Sequence, residues 1–355
     1  MLHALAAVAG VLLIAIALLD AFETIVLPRR ITRQLRLVRI FYRFSWRPWK
    51  AMADHLPTDS RENFLGFFGP LSLILLLTMW AAFLIVGFAL LGWGAGSALT
   101  ASGNKAGFGS ALYLSGETFF TLGLGDVRPD SSLSRAITVI EAGFGFGFLA
   151  LVITYLPVLY QSFSRREVNV SLLDARAGSP PSAGEFLRRL AALPDIMETL
   201  NPLLQEWERW AGELLETHMS YPVLTLYRSQ HERQSWLAAL TCILDVAALV
   251  LAGDMKAARP RAALTFAMAR HAAVDLSQVL PTTHEAWADR LPAADFQALT
   301  AAGRSLLTGL RQDELTELRR SYETHLQSLS RYLRMPLPPW LPSAGKDAWQ
   351  SSPWA

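Results

Sequence analysis

The sequence predicts an all-α membrane protein: two spans with a re-entrant loop between them, one extra transmembrane helix in front and a helical aqueous domain behind. Three observations predict it. The 355 residues are 52% hydrophobic, high for a soluble protein, yet 17% charged residues are too many for a wholly embedded one. Long apolar runs crowd into the first half of the chain, whereas charged residues, Pro and Gln spread through the second. A glycine-bearing segment, too short and too polar to span a bilayer, separates two of those runs.

The first element is an apolar stretch over 2–27, long enough to cross a hydrocarbon core of about 30 Å as a helix. A cleavable signal peptide would start with Lys or Arg and end on small residues, but this stretch has no basic n-region and places Asp20 and Glu23 near its end. The connection that follows holds Arg29, Arg30, Arg33, Arg36, Arg39, Arg43, Arg47 and Lys50. By the positive-inside rule it is cytoplasmic, which puts the amino terminus outside. Its arginines at every third residue from Arg30 to Arg39 have the spacing of a voltage-sensing helix, but such a helix works against acidic partners on neighbouring spans, and no such spans are present. Ile31, Leu35, Val38, Tyr42, Trp46 and Trp49 form an apolar stripe in steps of three and four, so an amphipathic helix at the inner leaflet is expected.

The second span covers the uncharged run 70–91, anchored by Trp93. The loop 94–110 carries only Lys105 as a basic residue and faces outside; the third span, 133–163, includes Glu141 as its acidic residue and returns the chain to the cytoplasm at Arg165 and Arg166. Between these spans, 111–120 is expected to be a short half-helix, followed by an extended strand in which Gly123 and Gly125 permit backbone angles closed to other residues. Non-helical backbone at membrane depth is tolerated only where it is buried in protein or lines a water-filled path.

Thr121-Leu122-Gly123-Leu124-Gly125-Asp126, after a short pore helix and between two spans, resembles the selectivity-filter signature of the potassium-channel pore family; the resemblance covers about 64–167. It implies a homotetramer in which the carbonyls of Thr121, Leu122, Gly123 and Leu124 bind potassium ions, with no other cofactor, and in which Gly125 allows the outer turn. Leu122 and Leu124 depart from the Val and Tyr of the family pattern, which puts sodium exclusion in question. Glu117 and Asp126 match, position for position, a carboxylate pair behind the filter of bacterial potassium channels, one member of which is expected to stay protonated and hydrogen-bond the other. Gly145 matches the gating-hinge glycine of the family, and the alternative is close helix packing. Phe146, Leu149 and Ile153 then fall on the cavity face at helical spacing, or pack against neighbouring helices. Glu141 either binds cations in a ring or meets a pore-helix donor.

Behind the spans, a Gly-Ser-Pro-Pro linker leads to helical patterns broken at Pro194, Pro202, Pro222, Pro260 and Pro281. The domains expected are a transmembrane helix over 1–28, a basic connector over 29–63, the pore module over 64–167, a linker over 168–182, a helical cytoplasmic domain over 183–335 and a Pro-rich tail over 336–355. The apolar segment 236–252, at the lower limit of length for a span and with Asp245 inside it, fits a buried core helix better than the alternative, a short fourth span. His218, His231, His271, His284 and His325 lack metal-ligand spacing, and Cys242 sits among apolar neighbours as an inert thiol.

No His-Glu-x-x-His, Gly-x-Ser-x-Gly or phosphate-binding glycine motif is present, so no enzyme activity is expected. A net charge of +2 gives no reason to expect a nucleic-acid partner. The functional expectation is a multi-pass cell-membrane subunit of a potassium-selective channel. The rivals are a weakly selective potassium/sodium channel and a non-conducting membrane sensor acting through its helical tail, whose ligand or partner the sequence does not name.

Overall fold

The structure, a computed structural model, describes residues 1–27, 36–96, 99–101, 107–231, 233–282, 287–307 and 309–342. Arg29, Arg30, Arg33, Ile31, Leu35, Lys105, His284 and the tail from residue 343 lie outside the described residues. Two compact units divide the chain, Met1–Tyr160 and Gln161–Ala355.

In the first unit, α1 (Leu2–Ala21) ends in a π-helical turn, Phe22–Val26. It packs along α3 (Thr58–Gly94) through glycines that let the backbones touch. A Cβ on Gly10 would lie 2.5 Å from the Gly87 carbonyl oxygen, and one on Gly94 would collide with the Ala7 nitrogen. At the other end of α1 the carboxylate of buried Asp20 accepts hydrogen bonds from the Trp80 indole N–H (2.9 Å) and the Val38 backbone N–H (3.2 Å). Val38 lies in the first turn of α2 (Leu37–Ala53), whose unpaired N–H groups favour an anion there. Arg36, just before α2, pairs with Glu23 at 3.5 Å.

The stripe of α2 expected to meet lipid is instead largely used by the protein. Trp49 stacks on Phe64 with ring centroids 4.4 Å apart and donates its indole N–H to the Phe64 carbonyl at 3.2 Å, while buried Trp46 meets Phe68 at 4.8 Å. Phe64 and Phe68, four residues apart on α3, present an aromatic face that matches the stripe. Ile40 and Phe44 of α2 remain exposed.

Among the described residues, three helices are long and apolar enough to cross a membrane: Leu2–Val26, Ser60–Gly94 and Ser132–Ala177. The last lies in α5 (Ser132–Ala177), which outruns the expected span and takes up much of the expected linker, 168–182. Val170, Leu173 and Ala177 are buried and keep the helix going past Arg166; Gly178, at φ +88°, ends it.

The second unit contains α6 (Ala183–Leu190), α7 (Ile196–Ser220), α8 (Trp236–Ala252), α9 (Arg259–Val279), α10 (Ala293–Gly303), α11 (Gln312–Arg320) and α12 (Glu323–Leu333). The side chains of Ser182, Asp195 and Ser235 cap α6, α7 and α8 by accepting the backbone N–H three residues on. All of α8 is buried among α6, α7, α9, α11 and α12, which makes 236–252 a core helix. Its Asp245 is held by Arg290 at 2.6 and 2.9 Å and by the Tyr322 hydroxyl at 2.7 Å; burial still pushes the Asp245 carboxyl up to about 6. Buried Glu323 takes Arg290 at 3.2 Å and Arg319 at 3.1 Å. Burial holds the Cys242 thiol well above its usual range.

Two expectations are corrected in this unit. Pro202 lies inside α7 rather than at a break, because Leu200, Leu203, Leu204 and Trp207 are buried on either side of it and hold the helix together. The start of the Pro-rich tail is part of the fold: Trp340 is buried and its carbonyl accepts the Gly184 N–H at 2.9 Å.

Candidate pore loop

The half-helix expected over 111–120 is α4 (Phe108–Phe119). Its end is closed by backbone hydrogen bonds from Phe120 to Gly116 (3.1 Å), Thr121 to Thr118 (3.1 Å) and Leu122 to Glu117 (2.8 Å), so the chain leaves the helix directly into the glycine-bearing segment 121–126. There φ alternates in sign: Thr121 at +56°, Gly123 at +60° and Gly125 at +78° are left-handed, and Leu122 and Leu124 between them are not. Glycine adopts this region without a Cβ penalty; Thr121 adopts it at a cost that the surrounding structure has to offset. Alternation of handedness turns successive peptide groups to the same side, whereas in an ordinary β-strand they alternate.

Past Asp126, β2 (Val127–Pro129) pairs antiparallel with β1 (Leu99–Ala101), setting Thr100 opposite Arg128. The Thr100 hydroxyl donates to Asp130, and Arg128 Nε donates to the Gly125 carbonyl at 2.7 Å. On α4, Glu117 is buried and its Oε2 has no partner among the described residues. Asp126 Oδ1 accepts from the Tyr113 hydroxyl at 3.2 Å. No hydrogen bond joins Glu117 to Asp126 in the described structure; Tyr113, one helical turn before Glu117, takes the place expected for the second carboxyl.

Glu141 on α5 is buried and accepts a hydrogen bond from Ser115 of α4, whose hydroxyl also lies 2.7 Å from the Ile85 carbonyl of α3. Of its two alternatives, the pore-helix donor is the one the geometry displays. At Gly145 an added Cβ would collide with the Phe119 carbonyl, whereas at Gly143 and Gly147 it would meet nothing within 4 Å. Gly145 is thus a close-packing position in a continuous helix. Phe119, with Ala17, Ala81 and Leu84, forms a small core against which Phe148 of α5 packs.

Side chains expected at the filter and cavity stand clear of the rest of the chain: Leu122, Leu124, Phe146, Leu149 and Ile153 are each more than half exposed, with Phe146 at 69%. Tyr113, Ser115 and Arg128 were not singled out by sequence reasoning. Only Tyr113 had a local signal, its four-residue spacing from Glu117 on the pore helix. Ser115 and Arg128 depend on contacts that helix periodicity does not encode.

A pore-loop module of two apolar helices bracketing a half-helix and a left-handed glycine turn defines the potassium-channel-like class of membrane domains. Residues 73–161 match the model of the ion channel family. The chain is 29% identical over 186 residues to "Uncharacterized membrane protein YdjJ" of Bacillus subtilis (strain 168), an alignment covering 52% of this chain and 53% of that protein. The chain therefore spans about half the length of the curated relative it matches. No solved structure matches it.

Proposed function

We propose that the chain is one subunit of a homotetrameric, potassium-selective channel that conducts along the backbone of Thr121, Leu122, Gly123, Leu124 and Gly125, without a cofactor other than the ions. The observation that carries this reading is the alternation of left-handed φ at Thr121, Gly123 and Gly125, which supports carbonyls turned toward one axis. One loop cannot surround an ion, so closed fourfold symmetry is the natural assembly. It would cover the exposed Leu122 and Leu124 with neighbouring subunits and turn Phe146, Leu149 and Ile153 toward a central cavity.

Glu117 and Asp126 support the filter through Tyr113 in this reading, and Gly145 acts as a packing site rather than a hinge. The basic residues Arg36, Arg39, Arg43, Arg47 and Lys50, together with Arg165 and Arg166, favour a cytoplasmic connector and tail with the amino terminus outside. No catalytic step and no nucleic-acid contact is assigned.

The test is potassium and sodium flux through the full-length protein in liposomes, wild type against Gly123→Ala. Potassium flux above sodium flux in the wild type, lost in the variant because alanine is strained at φ +60°, is the expected result. Equal fluxes of the two ions keep the pore and overturn potassium selectivity, the outcome that Leu122 and Leu124 make informative. If neither ion moves at any pH or voltage, the leading explanations become a membrane sensor or scaffold working through its helical tail, or a missing activating ligand.

A further inference from the structure

Ser115 Oγ on α4 lies within hydrogen-bond reach of oxygens from two other helices, the Ile85 carbonyl of α3 at 2.7 Å and a carboxyl oxygen of Glu141 on α5. Ser115 and Glu141 are both buried. Each of these short contacts needs a hydrogen between its two oxygens, because lone pairs facing each other at that separation repel. A serine hydroxyl has one hydrogen, and a backbone carbonyl has none to give. One hydrogen shared between both acceptors would lengthen both contacts, and neither is long. The second hydrogen therefore has one source, the Glu141 carboxyl.

The surroundings of Glu141 agree with a neutral group. No acidic or basic residue occurs in α3 from 63 to 94, and Glu141 is the sole one in α5 from 136 to 160. On α4 the sole one is Glu117, two residues past Ser115 and so about 200° round the helix from it. An ionised carboxylate at 141 would have no cation and no N–H donor, among the described residues, to replace the water it gave up. Asp20, the buried acid of α1, has what Glu141 lacks: the Trp80 and Val38 N–H groups, which suit an ionised acceptor.

We propose that Glu141 is a protonated carboxylic acid and a positioning residue for the pore loop: its O–H donates to Ser115, and the Ser115 O–H donates to Ile85. The bond that an ionised Glu141 would accept from Ser115 is thereby reversed. The relay runs from α5 through α4 to α3 and ties α4 to both neighbours without burying a charge. Thr121 follows Ser115 by less than two helical turns of chain, so a shift of α4 at this tie displaces the segment 121–126. The positioning role rests on the conduction reading above; the location of the proton does not.

Infrared spectra of the full-length protein in nanodiscs at neutral pH locate the proton. The difference between wild type and Glu141→Gln cancels every other acid, Glu117 and Asp20 included. It is expected to contain the carbonyl stretch of a protonated carboxylic acid, and that band is expected to shift in Ser115→Ala, where the acid O–H loses its acceptor. A difference holding only carboxylate bands overturns the protonation, and a band unmoved by Ser115→Ala overturns the relay. Potassium flux in liposomes tests the positioning role. Glu141→Leu is expected to lower it at least about fivefold, the factor that one lost buried hydrogen bond represents. Glu141→Gln is expected to keep it, because the amide N–H donates in place of the acid O–H. Equal flux in the two variants overturns the positioning role. If the wild type carries no flux, the conduction reading fails and the positioning role falls with it, while the infrared bands still decide the relay.

Discussion

At His218 two hydrogen bonds select a tautomer: Nδ1–H donates to the Leu214 carbonyl at 2.8 Å, and Nε2 accepts from Arg166 at 3.2 Å. The ring is buried, and desolvation, with the Arg166 charge beside it, holds its pKa well below the ordinary value of 6.5. In the unfolded chain His218 takes up a proton as pH falls through about 6.5, while the folded chain refuses it, so stability present above that pH is lost below it. Thermal denaturation of the wild type from pH 7.5 down to 5 is expected to show a falling Tm, and His218→Gln is expected to flatten that slope; parallel slopes would assign the pH dependence to other groups. Asp20 is a second decisive residue. Asp20→Ala leaves the Trp80 indole N–H and the Val38 N–H without their acceptor, at about 1–3 kcal/mol for each buried donor, and a lower Tm in detergent measures the loss. Neither network was legible in the sequence. Trp80 is sixty residues from Asp20 and Arg166 is fifty-two from His218, separations over which no local pattern carries information.

Helices are the scale at which the sequence said most. Apolar runs located the three helices long enough to span, and glycine spacing located the left-handed turn at Gly123 and Gly125, because both follow from what a bilayer forbids to exposed backbone. Helix ends were less legible. A linker was expected from residue 168, yet α5 continues to Ala177, since the residues that sustain it are buried by distant segments and its polar positions look like loop. The glycines of α5 illustrate the same limit. Gly143, Gly145 and Gly147 are equivalent in sequence spacing, but only Gly145 touches the pore helix. Gly145→Ala is therefore expected to cost about 1–3 kcal/mol by overpacking, and Gly143→Ala to be neutral or to stabilise by up to about 1 kcal/mol through helix propensity. Unfolding of both variants in detergent checks the difference; equal losses would mean that Gly145 is not a packing site.

As a whole molecule, the chain is two units with separate reasons to fold. The second has its own core helix, α8, and a buried Asp245–Arg290–Glu323–Arg319 network. A chain starting at Gln161 is expected to fold alone with one cooperative thermal transition, followed by circular dichroism; a non-cooperative melt would make the tail dependent on the first unit. That the tail is helical was legible from its periodicity. That 236–252 is core and not a span was favoured by its short length and by Asp245, and the neighbours that bury all of it decide the matter. The glycine seam between α1 and α3 has a broader meaning in a bilayer. Lipid tails are as oily as leucine, so greasiness gives α1 no preference for α3 over the surrounding solvent. What retains it is relief: grooves cut to backbone depth at Gly10, Gly87 and Gly94, which acyl chains fill poorly. A polyleucine segment grafted in place of residues 2–21 would keep the hydropathy and lose the address, leaving the first span adrift among the lipids.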